Sequence, residues 1–163
     1  MKRMKTFTRR NGFTELNLLQ TASDHLGSAK VLFDRHHRCF DSAGYLCHLG
    51  IELVLKGILL YTCNQFPNEH SLSKLRALID KQGLKLNYTK EYLDTIKMLD
   101  TFNELRYPNP KSPVEIGDDD CERIENLFNF LILTLPERIQ EELKRLDHSI
   151  KNNRVLMKKK KAI

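Results

Sequence analysis

The stretch DSAGYLCHLGIELVLKGILLYTC, residues 41–63, decides the fold. Wound as a helix it is apolar on almost every side. Such a helix cannot stand alone in water, so the rest of the chain or a second copy of it must provide cover. Its strongly polar interior positions, His48, Glu52 and Lys56, recur every four residues and share one stripe, with Tyr45 a turn before His48 near the same line. Two readings of that stripe are open. Either it lines a groove that holds a ligand or partner, or it is an exposed Glu52–Lys56 ion pair worth only about a few tenths of a kcal/mol. Asp41 or Ser42 is the expected cap of this helix. Gly44, Gly50 and Gly57 suit close approach by another helix, at the centre of a bundle or at a two-fold interface.

Outward from this stretch, every other segment reads as helix or loop. Leu16, Leu19, Leu26 and Phe33, with Ser23 and Ala29 between them, mark one face of a first helix over about residues 14–36. Gly27 in its middle costs about 1 kcal/mol against alanine, which suggests close approach by a neighbour. His36 and His37 read as surface histidines. The loop NQFPNEH follows the central helix, and Ser71 then caps a short helix with Leu72, Leu75, Leu78 and Ile79 inward and Gly83 as its stop. Ser71 and Lys74 make an SxxK pair, but no SDN or KTG companion is present, so Ser71 is read as a cap and not a nucleophile. A fourth helix over about residues 90–106 turns Tyr92, Ile96, Leu99 and Phe102 inward and ends before Tyr107-Pro108. Arg106, seven residues beyond Leu99, falls near the same face. It reads equally as a cation on the last carbonyls and as a site residue. Asp118 to Asp120 are expected to cap a last helix with Ile124, Leu127, Phe128, Leu131 and Leu135 inward. Pro136 interrupts it, as a kink or as a fresh start from a Thr134–Glu137 capping box. No strand-like alternation appears, and the expected architecture is all-α: an up-and-down antiparallel bundle of four to five helices.

The charge sits at the ends. Residues 1–10 carry +5 and residues 149–163 carry +6, which leaves −5 on residues 11–148 out of a net +6. The expected organisation is therefore a basic N-terminal segment at 1–12, a helical body at 13–148 and a basic, disordered tail at 149–163. The overall pI is weak evidence for a nucleic-acid face on the body. Cys39, Cys47, Cys63 and Cys121 form no CxxC pair and read as reduced core thiols of a cytoplasmic protein, with no metal site. The apolar run at 50–61 is broken by Glu52 and Lys56 and falls short of the roughly 20 residues a bilayer needs, so no membrane span or signal peptide is expected.

The series HLGIELVLKGILL, EHSLSKL and ELRYPNP, in that order over residues 13–146, resembles the HEPN family, the nucleotide-binding domain of higher eukaryotes and prokaryotes. The resemblance implies a bundle that pairs through its central helix into a homodimer. It also implies, for many members, metal-independent RNA cleavage of the toxin or defence type by an arginine followed four to six residues on by a histidine. Arg106 matches that arginine, but Lys111, Ser112 and Pro113 stand where the histidine belongs. The chain is thus more similar to the branch that lacks this motif and works beside a separate small nucleotidyltransferase, binding nucleotides, RNA or a partner protein. On that reading the module is non-catalytic on its own and needs no cofactor. Its groove is lined by Tyr45, His48, Glu52, Lys56, Arg106 and Tyr107. The alternative is a divergent endoribonuclease, in which Arg106 works with a displaced histidine, His48 or His70.

Overall fold

The computed structural model describes residues 5–35, 39–103 and 116–147. Arg106, Tyr107, His36, His37 and the basic C-terminal tail lie outside these residues.

Helix α1 spans Glu15–Phe33, and Thr14 caps it by accepting from the Asn17 N–H. Helix α2 spans Phe40–Cys63. Neither Asp41 nor Ser42 is its N-cap: that position falls to Cys39, whose side chain makes no capping bond. Asp41 instead lies in the first turn, where a carboxylate complements the positive helix end. Asn64 ends α2 in the left-handed region at φ 58°, a conformation asparagine tolerates better than most residues.

α1 and α2 are antiparallel and share the most extensive interface of the molecule. Gly50 is what lets them close. A β-carbon there would stand 3.1 Å from Leu26 Cγ and 3.2 Å from the Ala22 carbonyl oxygen. Gly27, expected to serve this purpose, is exposed, and a β-carbon on it would meet nothing within 4 Å. The close approach belongs to the opposite helix.

By length and composition alone α2 could cross a membrane, a point the reading of residues 50–61 as too short had missed. Of its apolar window, 67% is buried against the rest of the chain, as in the core helix of a bundle.

Two short strands were not foreseen. β1 (Thr6–Thr8) pairs antiparallel with β2 (Gln65–Pro67), setting Phe7 opposite Phe66. Three residues are too few for alternation to register. Phe13 completes a cluster with these two rings, at centroid distances of 5.2–5.5 Å, that seats the ribbon on the bundle.

Helix α3 (Leu72–Lys81) is capped by Ser71, as expected, and buries Leu72, Leu75 and Ile79. Helix α4 (Lys90–Phe102) buries Ile96, Leu99 and Phe102, with Tyr92 half-buried. Helix α5 spans Asp118–Leu133 behind Gly117 as N-cap, not behind an aspartate; the Asp120 carboxylate reaches back to accept from the Gly117 N–H. At Pro136 the chain starts afresh. Thr134 Oγ1 donates to the Leu131 carbonyl and caps nothing, whereas the N–H groups of Ile139 and Gln140 bond to the Pro136 carbonyl and open α6, residues 137–147. The core runs through all these helices, with Leu19, Ile51, Leu55, Leu75, Leu99 and Ile124 fully buried. The fold is an all-α bundle carrying one small ribbon.

Candidate functional site

The polar stripe of α2 is not a surface feature. His48 is 0%, Glu52 4% and Lys56 5% exposed, so the reading of an exposed ion pair is overturned. Lys56 Nζ donates to Glu52 Oε1 at 2.5 Å and lies 5.8 Å from the centre of the Phe66 ring, a cation–π contact that ties the stripe to the ribbon. His48 Nδ1 is 2.8 Å from the Leu99 carbonyl oxygen; a carbonyl only accepts, so Nδ1 carries the proton. That carbonyl is available because the Asn103 N–H turns to Thr101 instead of closing the last α-helical bond of α4. His48 Nε2 then points at Glu52 Oε2 from 3.5 Å, too far for a good hydrogen bond, and is left buried without one.

A third partner comes from outside the helix. His70 Nδ1 lies 3.1 and 3.3 Å from the two Glu52 oxygens, and its side chain is 56% exposed. A carboxylate accepts, so Nδ1–H donates. Nε2 has no hydrogen-bond partner among the described residues. The ring is held from both sides in sequence. Glu69 accepts from the N–H groups of His70 and Ser71 and from Lys74, which clamps the turn before α3. Asp100 of α4 accepts from the N–H groups of Leu72 and Ser73 at 2.6 and 3.0 Å and from Ser71 Oγ at 3.3 Å, which fixes the start of α3 itself. Leu99 and Asp100, adjacent on the last turn of α4, thus tie that turn to α2 and α3 respectively.

Burial pushes the Glu52 carboxyl upward, but the approach of the His48 ring, the hydrogen bond from Lys56 and the positive charge of Lys56 and His70 outweigh it and hold Glu52 below its ordinary value. One carboxylate therefore faces Lys56 and two imidazoles. Lys56, His48 and His70 share this single acidic partner, and an anion is the natural complement on the exposed His70 side of the cluster.

Of the residues expected to line a groove, His48, Glu52 and Lys56 meet, and Tyr45 stands half-buried one turn before them. Arg106 and Tyr107 are outside the described residues. His70 belongs to the cluster, and Glu69 and Asp100 position it. The last two escaped the sequence reading, although Glu69 beside the Ser71 cap and Asp100 next to the inward Leu99 were the available signals. Among the described residues, no group of three or more His, Cys, Asp or Glu side chains is arranged to hold a metal ion.

No curated protein and no solved structure matches the chain significantly. The family model of the HEPN domain does, over residues 16–134, a span that contains the whole of α1 to α5 but for the first residue of α1, and every residue of the Glu52 cluster. At family level this marks a nucleotide- or RNA-related module, and with it the chain belongs to the HEPN domain family.

Proposed function

We propose that this protein is a homodimeric, cytoplasmic HEPN module that binds the phosphate of a nucleotide or RNA at the Glu52 cluster. The observation that carries the reading is one buried carboxylate surrounded by Lys56, His48 and His70. Arg106, four residues beyond the end of α4 in the sequence, supplies a further cation on this reading. Tyr45, Leu49 and Leu53, half-buried at four-residue spacing beside the stripe, support pairing through α2. A separate small nucleotidyltransferase is the protein partner this reading expects.

Fluorescence anisotropy with a labelled single-stranded RNA, in chelator, tests the site. Wild type is expected to bind with a salt-dependent affinity, and Lys56→Met and Arg106→Ala each to weaken it. Light scattering is expected to give twice the 19.1 kDa chain mass. A monomer whose RNA and nucleotide affinity ignores both substitutions would sink the proposal.

The geometry around His70 favours a second reading, RNA cleavage. A buried carboxylate orients Nδ1 of a half-exposed histidine and leaves Nε2 outward, an arrangement suited to proton transfer. His48, sealed in the core, is the less suited of the two histidines. In this reading Nε2 takes the proton of a 2′-hydroxyl while that oxygen bonds to phosphorus. The bond from phosphorus to the 5′-oxygen breaks, and that oxygen takes the proton back from the imidazolium or from water. The products are a 2′,3′-cyclic phosphate and a 5′-hydroxyl. His70→Ala is expected to lower metal-free cleavage by about 10²–10⁴-fold. RNA left intact by wild-type protein in chelator would eliminate this reading and leave the binding module standing.

A further inference from the structure

On the other side of α2 a cavity of about 280 Å³ opens between α1, α2 and α5, and two cysteines from different helices line it, Cys47 of α2 and Cys121 of α5. Cys47 is 1% exposed, whereas Cys121 is half-buried. Each lies on its helix's inward face: Cys47 one turn before Ile51, Cys121 three residues before Ile124. Gly27 of α1 also borders the cavity. Beside it the half-exposed Lys30 ammonium pairs with Glu125, at 2.8 and 2.9 Å, across α1 and α5.

We propose that Cys47 and Cys121 form an oxidant-responsive thiol pair in which Cys121 meets hydrogen peroxide at the cavity and Cys47 resolves the product as a disulfide between α5 and α2. In the first step the Cys121 sulfur attacks one peroxide oxygen and the O–O bond breaks. This leaves a sulfenic acid on Cys121 and releases one water. In the second the Cys47 sulfur attacks the sulfenic sulfur; the S–O bond breaks, and the hydroxide leaves as water with the Cys47 proton. Two thiols are oxidised and one peroxide is reduced to two waters. Cys47 suits the second role and not the first because it is sealed from the solvent that carries the oxidant, whereas the half-buried Cys121 meets it. Cys39 and Cys63 do not line this cavity. The disulfide would fasten the turn of α2 that carries His48, so it reaches the Glu52 cluster whatever ligand that cluster holds.

Intact-mass and peptide analysis after graded peroxide treatment tests the pair on the wild-type protein. The expected result is loss of two hydrogens, a cross-linked peptide joining Cys47 to Cys121, and a rise in Tm of roughly 5–15 °C that a reductant reverses. In Cys121→Ser the cross-link disappears. In Cys47→Ala a dione probe traps a sulfenic acid on Cys121. Sulfinic acid on Cys121 of wild-type protein while Cys47 stays alkylatable, or first oxidation at Cys39 or Cys63, would overturn the proposal. The wild-type peptide map decides the question even where a variant folds poorly.

Discussion

Replacing Glu52 with glutamine tests whether the polar stripe is a buried hub. In the wild type its carboxylate is 4% exposed and receives Lys56 at 2.5 Å and His70 at 3.1 Å. The amide cannot neutralise Lys56, which would stay inside with the Phe66 ring and a neutral acceptor in place of a counter-charge. Breaking one side of a buried pair costs about 3–5 kcal/mol, and the amide oxygen still accepts one bond, so the lower end, ~3 kcal/mol, is expected. An exposed pair would register about 0.3–0.5 kcal/mol. For a chain of this size the drop in Tm is about 6–12 °C, and urea unfolding followed by circular dichroism would give the same difference with little change in slope. The pH dependence supplies a second check. Because Glu52 is held below the ordinary carboxylate range, its stabilisation is complete above that range and is lost as the pH falls through the lower folded value. The gap between wild type and Glu52→Gln should therefore narrow only in acid. Adding Lys56→Met to Glu52→Gln should restore part of the loss, since an uncharged pair leaves no orphan ion. A single variant within about 0.5 kcal/mol of wild type at neutral pH would refute the buried hub.

Other changes probe the frame around the hub. Gly50→Ala should destabilise by about 1–2 kcal/mol in urea unfolding, since its methyl would press on the Ala22 carbonyl and Leu26, whereas Gly27→Ala should stabilise by up to about 1 kcal/mol. Asp100→Ala removes three acceptor contacts at the start of α3 and should cost about 1–2 kcal/mol. Hydrogen exchange should show early opening of residues 70–75 in that variant. Cys47, raised from 9.0 to about 12, favours the folded state while it is protonated, so stability should fall between those pH values by up to about 1.4 kcal/mol per unit. Cys47→Ala should flatten that alkaline limb in pH-dependent unfolding.

Much of the bundle was legible in the sequence because its signals are local. Periodicity marked the inward faces of α1, α3, α4 and α5, Ser71 announced its cap, and the apolar length of residues 41–63 announced the core helix. The family could be suspected from short motifs in order along the chain. What periodicity could not deliver was which side of a nearly all-apolar helix meets water. Tyr45, His48, Glu52 and Lys56 share a stripe in any helix, but whether that stripe is solvated depends on what crosses it. Here Phe66 of the ribbon, the last turn of α4 and His70 close over it, and each arrives from a different part of the chain. The same holds for the glycines: a helical glycine is visible in one dimension, but only the position of the facing helix shows that Gly50 makes the close contact while Gly27 borders open space. Helix existence follows from neighbours in sequence, and the hub follows from neighbours in space, because the free energy of a buried charge is set by whatever surrounds it and not by its place on its own helix.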